Sequence, residues 1–97
     1  MQFEWDENKR LNNIEKHGVD FVVAFQLWEA PMLVVEDIRR DYDEQRWIAL
    51  GKLNHRVMVV AYTKRKIDIV RIISFRKANK REVAYYEKII KQNEKIY

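Results

Sequence analysis

A chain of 97 residues, 47% hydrophobic and 35% charged, is sized for a single core burying about two-thirds of its unfolded surface, not for two domains. With no cysteine, disulfides, thiolate nucleophiles and Cys-based zinc sites are excluded; "MQFEWDENKR" does not read as a signal peptide, no run approaches the roughly 20 apolar residues of a membrane span, and a cytoplasmic protein is expected. The net charge of +4 is unevenly spread: residues 1–50 hold 6 Lys+Arg against 11 Asp+Glu (−5), and residues 51–97 hold 13 against 4 (+9).

In chain order, "QFEW" at residues 2–5 alternates as a short strand, and Asp6 is placed to cap a helix through "ENKRLNNIEKH". Gly18 ends that helix as the residue able to adopt φ > 0. Asp20 caps a second helix, in which Phe21, Ala24, Phe25 and Trp28 recur at i, i+3, i+4, i+7, until Pro31 closes it. The period then changes from 3.6 to 2. "MLVVEDI", "RWIALGKL", "RVMVVAYT" and "IVRIISFR" read as four strands. The charged "RRDYDEQ" is expected as a solvated loop, and Asn54-His55 as a two-residue hairpin turn, although His replaces the Gly that a type I′ turn favours. Asn79, with Glu82 three residues on, has the spacing of a capping box and starts the last helix, whose face is marked by Val83, Tyr86 and Ile90. The order β-α-α-β-β-β-β-α gives an α+β domain, a small antiparallel sheet with helices packed on it.

The basic half concentrates its charge in "RIISFRKANKREVAYY": Arg71, Arg76, Lys77, Lys80 and Arg81 fall on one strand, the turn after it and the start of the helix. Such clusters are a footprint of nucleic-acid binding, because cations that neutralise phosphates release condensed counterions. Strict alternation puts Arg71, Ile73 and Phe75 on one face and Val70, Ile72, Ser74 and Arg76 on the other, so at least one arginine leaves a partly apolar face and needs an anion. That anion is either a phosphate, which suits the planar guanidinium fork, or Glu82 of the same chain, in which case Arg76 only ties helix to sheet. Of Tyr85 and Tyr86, one turn of helix cannot bury both; Tyr86 is expected to pack and Tyr85 to stay near the surface, where a phenol can stack or donate a proton. His17 either complements the end of its helix or serves as general acid or base. The acids of "EDIRRDYDEQ" lack the Gly and spacing of a calcium loop, and no phosphate loop or nucleophile elbow occurs. No metal and no cofactor is expected.

Three ordered blocks, "FEWDENKRLNNIEKHGVDF", "DYDEQRWIALGKLNHRVMVVAYT" and "RIISFRKANKREVAYYE", resemble over nearly the whole chain the BrnT toxin family of bacterial type II toxin–antitoxin systems. The departures are in loops: Asp43 and His55 stand where Gly is common, and Glu29-Ala30-Pro31 where Asp-Pro is. The resemblance implies a RelE-like ribonuclease fold and RNA cleavage that arrests translation. It also implies neutralisation by a BrnA-type antitoxin, through which alone operator DNA is bound. The residues carried over are Arg71, Arg76 and Glu82 with a nearby Tyr, plus Lys16 and His17 of the "KHG" block. RNA supplies its own nucleophile, the 2′-OH, so cleavage needs positioning, a base, an acid and cations for the phosphorane charge, but no metal. Arg71, Arg76, Lys77, Lys80, Arg81 and Lys16 are then the phosphate-binding candidates, and Arg76, Glu82, Tyr85 and His17 the catalytic ones. The competing expectation is a non-catalytic or silenced module that holds an antitoxin or DNA on the same basic surface.

Overall fold

The computed structural model describes residues 1–96. They form β1 (Gln2–Trp5), α1 (Glu7–His17), a 3₁₀ segment (Phe21–Glu29), β2 (Leu33–Glu36), β3 (Arg46–Leu53), β4 (Arg56–Lys66), β5 (Ile69–Lys77) and α2 (Lys80–Ile96). The α+β class and the order of elements are those expected. Local chemistry sets the helix ends: the Asp6 carboxylate accepts from the Lys9 amide at 3.1 Å, and Gly18, at φ 70°, donates its own N–H to the Ile14 carbonyl at 2.7 Å.

Phe21–Glu29 is not the α-helix that its i, i+3, i+4, i+7 pattern suggested. It is wound as 3₁₀, and its buried residues are Phe21, Ala24 and Leu27, while Phe25 is exposed. Three residues per turn bring positions i, i+3 and i+6 onto one stripe, so the tighter helix exchanges Phe25 for Leu27 in the core. Gly51 in β3 permits this packing: a Cβ there would meet Leu27 Cγ at 3.1 Å and Met32 Cγ at 3.2 Å.

The five strands lie in the order β1-β5-β4-β3-β2. Strands β2 to β5 are the expected antiparallel meander, but β1 joins β5 in parallel, pairing Gln2 with Ile69 through Trp5 with Ile72, so the sheet is mixed. Proximity in sequence could not reveal this, because β1 pairs with the last strand made. The β3–β4 turn residues Asn54 and His55 both take positive φ, 48° and 71°, the pattern of a type I′ turn even without glycine.

One face of the sheet carries the core. Phe21, Ala24 and Leu27 pack on Ala49, Met58, Val60, Tyr62, Val70, Ile72 and Phe75, and Trp28 sits edge-on to Phe3 and Tyr62, with ring centroids 5.1 and 5.0 Å apart. On the opposite face α2 packs against β3, and buried Tyr86, Val57 and Val59 mark the covered end. The rest of that face is not sealed: Ile48, Leu50, Ala61 and Ser74 are half-buried, and Val35 is 60% exposed.

Candidate functional site

A bulge in β5 decides what the open face displays. Ala61 pairs with Ser74 but its neighbour Tyr62 pairs with Ile72, so Ile73 is an extra residue. The phase of β5 therefore shifts, and the buried positions are 70, 72 and 75 rather than alternate ones. Strict alternation separated Arg71 from Arg76. In the structure Arg71 lies opposite Thr63, Ser74 opposite Ala61 and Arg76 opposite Val59, so all three project from the open face.

Both arginines are held by carboxylates of their own chain. Arg76 donates Nη1 and Nη2 to the two oxygens of Glu82 at 2.8 and 2.9 Å. Glu82 also accepts from the Asn79 amide at 2.8 Å, while its own amide donates to Asn79 Oδ1 at 2.9 Å, the reciprocal capping box the spacing predicted. Arg71 pairs with Glu4 of β1. The hydrogen bonds from Arg76 hold the Glu82 carboxyl below its ordinary range, against the upward push of partial burial, and the Asn79 amide adds to the lowering. A carboxylate so engaged on both oxygens is a weak base. Its partner Arg76 is correspondingly raised.

At the β5–α2 corner Lys80 and Arg81 are exposed, as is Lys77, which lies opposite Met58 and so on the other face of the sheet from Arg76; among the described residues none of the three forms an ion pair. Tyr86 is buried and Tyr85 is 51% exposed, as the helical face predicts; Tyr85 lies one turn along α2 from Glu82. Lys16 and His17 are elsewhere. They line a groove with Lys9, Asn12, Asn13, Ile73 and Ser74, and no hydrogen bond joins His17 to Arg76, Glu82 or Tyr85 among the described residues. Ser74 is the link, a wall of that groove and a member of the Arg71–Arg76 face.

Two residues hold structural roles that their sequence context did not announce. Buried Asn13 uses its side-chain amide as a strand would: it accepts from Phe75 N at 3.1 Å, donates to Phe75 O at 2.7 Å, and donates to Val19 O at 3.0 Å. It thereby continues the β5 edge beyond the end of β1 and fixes the half of α1 that bears Lys16 and His17. The second is Asp37. The loop after β2 is not simply solvated, because the Asp37 side chain is only 3% exposed and accepts from Arg39 Nε at 2.8 Å, Arg39 Nη2 at 2.9 Å and Tyr42 Oη at 3.0 Å. The first of these partners, Arg39, holds the Asp37 carboxyl far below its ordinary 3.8, outweighing desolvation.

The depressed carboxyls of Asp37 and Glu82 give stability that is present above their unfolded values, near 3.8 and 4.5, and lost as pH falls below them. Urea midpoints are therefore expected to drop between about pH 5 and pH 2, and the Asp37→Asn variant to show a flatter pH dependence. A wild-type midpoint constant over that range would contradict the linkage.

No curated protein sequence matches the chain. The family described as "Ribonuclease toxin, BrnT, of type II toxin-antitoxin system" matches residues 5–82, a span that includes the Arg71–Glu82 corner and ends just short of Tyr85. Among solved structures, the Brucella abortus ribonuclease toxin BrnT is similar, with a TM-score of 0.67 and 30% sequence identity over 82% of this chain and 99% of that chain. A match over most of the sequence thus agrees with a shared fold, and the chain belongs to the BrnT ribonuclease toxin family of type II toxin–antitoxin systems.

Proposed function

We propose that this chain is an endoribonuclease toxin whose RNA lies on the open sheet face at the β5–α2 corner, that it needs no metal, and that a BrnA-like antitoxin neutralises it and alone carries operator DNA binding. The observation that carries the reading is Arg76, fixed bidentately by Glu82 at the edge of an uncovered face, with exposed Lys80 and Arg81 at the start of the helix that bears Glu82. A preorganised guanidinium stabilises charge that develops in a transition state without reorganising.

In the proposed reaction the 2′-oxygen attacks the adjacent phosphorus and its proton passes to a base. The P–O5′ bond breaks, and the leaving 5′-oxygen takes up a proton, giving a 2′,3′-cyclic phosphate and a 5′-hydroxyl. Arg76 and Arg71 bind the phosphate and stabilise the phosphorane. Glu82 is a positioning residue, since its oxygens are occupied and its basicity is lowered. Proton transfer falls to His17, reached across the β5 edge by way of Ser74, and to Tyr85 on α2. Lys16, Lys77, Lys80 and Arg81 hold flanking phosphates.

Inducing the chain alone is expected to arrest growth and to yield RNA ending in 2′,3′-cyclic phosphate, and cleavage by the purified protein is expected to persist in EDTA. Co-expression of the antitoxin should abolish both the arrest and the new ends. Loss of cleavage in EDTA, restored by a divalent ion, would refute metal independence. A second reading, a module that binds without chemistry, draws on the fact that Arg71 and Arg76 are already neutralised by Glu4 and Glu82; it predicts no new RNA ends in either culture.

A further inference from the structure

The loop between β2 and β3 carries a second arginine device on the same face. Asp37 N donates to Arg46 O at 2.8 Å, extending the β2–β3 ladder by one step. Arg46 pairs with Thr63, Thr63 with Arg71 and Arg71 with Glu4. Residues opposite one another in a ladder share a face, so Asp37 heads a row that crosses the sheet through Arg46, Thr63 and Arg71 to Glu4. Here Asp37 grips Arg39 by Nε and Nη2, and the Tyr42 hydroxyl donates to the same Oδ2 that accepts from Arg39 Nη2. Arg46 stacks on Tyr42, its guanidinium carbon 4.1 Å from the ring centroid. The Arg39 side chain is nonetheless 72% exposed, and its Nη1 makes no hydrogen bond among the described residues.

A surface arginine ordinarily wanders, and a solvated ion pair contributes little. Arg39 is different because its anchor is buried, so the fork is fixed while its outer donors stay available. Glu82 raises the hold of Arg76 on its proton, and the charge of Arg39 works weakly against it. Like charges converging on one open face cost energy that an anion lying between them reverses. Single-stranded RNA, whose phosphates recur along the strand, is a source of such anions at regular intervals.

We propose that Arg39 is an RNA phosphate-binding residue of the toxin, and that Asp37, at the head of the row that carries Arg46 and Arg71, is the positioning residue that fixes it over the open face. This rests on the reading of the open face as the RNA site. The strand would enter over the β2–β3 loop, cross the half-buried floor of Ile48, Ala61 and Ser74, and reach the reacting phosphate at Arg76.

The test is binding of a 2′-O-methyl single-stranded oligoribonucleotide, which cannot be cleaved, across a salt series, with thermal melting of each variant alongside. Arg39→Ala is expected to weaken binding about tenfold and to lower the slope of log K against log salt by about 0.7, one phosphate contact on a single strand. Asp37→Asn, which leaves the cation in place but ungripped, should weaken binding several-fold while keeping the salt slope, a separation that loss of folding would not produce. Arg76→Ala provides the reference. If Arg76→Ala weakens binding but Arg39→Ala leaves affinity and slope unchanged, this inference fails and the RNA site stands. If the wild type does not bind, or Arg76→Ala binds as the wild type does, the site itself is refuted and this inference with it. If Arg39→Ala keeps RNA binding and loses capture by the co-expressed antitoxin, the loop belongs to a protein interface and the proposal is overturned.

Discussion

Arg76→Ala is expected to slow RNA cleavage by about 10²–10³-fold, the usual loss when one preorganised stabiliser of transition-state charge is removed, and to abolish growth arrest. The fold should tolerate the change. Glu82 keeps its bonds with Asn79, so the start of α2 remains capped when the guanidinium is gone, and Arg76 is only partly buried. Arg76→Lys is expected to restore little: an ammonium is a rotating point charge and lacks the planar fork that matches both Glu82 oxygens and keeps a further donor fixed. The measurement is single-turnover cleavage of an RNA carrying the mapped cleavage site, with melting curves as the folding control. Wild-type rates in a well-folded Arg76→Ala protein would remove Arg76 from the site.

The largest effect on stability is expected at Asn13. Substituting alanine deletes three hydrogen bonds and strands the Phe75 N–H and C=O and the Val19 carbonyl in a buried place. Each orphaned group costs about 1–3 kcal/mol, so a total of roughly 3 kcal/mol or more is expected, a shift in Tm on the order of 15 °C for a domain of this size. Asn13→Asp should be no better, because a carboxylate accepts from Phe75 N but faces two carbonyls with no donor. Circular-dichroism melting checks this directly, and a Tm within about 2 °C of wild type would mean that water replaces the amide at no net cost.

Much of the fold could be read from local signals because those signals act locally. Asp6, Gly18 and the Asn79–Glu82 pair each satisfy backbone groups a few residues away, and their spacing announces it. The strands of the meander showed in their β-branched runs. What escaped was non-local. The parallel seat of β1 depends on a strand at the other end of the chain, and the 3₁₀ winding of Phe21–Glu29 depends on what lies above Gly51. The bulge at Ile73 leaves no mark in composition, yet it reverses the relation of Arg71 to Arg76. In the candidate site, the capped Glu82 and outward Tyr85 were legible, and so was the alternative that Arg76 pairs with Glu82. Asp37 was hidden among exposed acids, because only burial distinguishes it from Asp41 and Asp43.

The pairing of β1 with β5 also sets a timetable. During synthesis β1 has no partner until roughly 60 further residues have been added, a wait of several seconds at about 5–20 residues per second. Arg71 acquires Glu4 only when that strand closes, and Arg76 acquires Glu82 later still, when the start of α2 has emerged. The open face thus acquires its two carboxylate-fixed arginines only after β5 and the start of α2 have been made, long after β1.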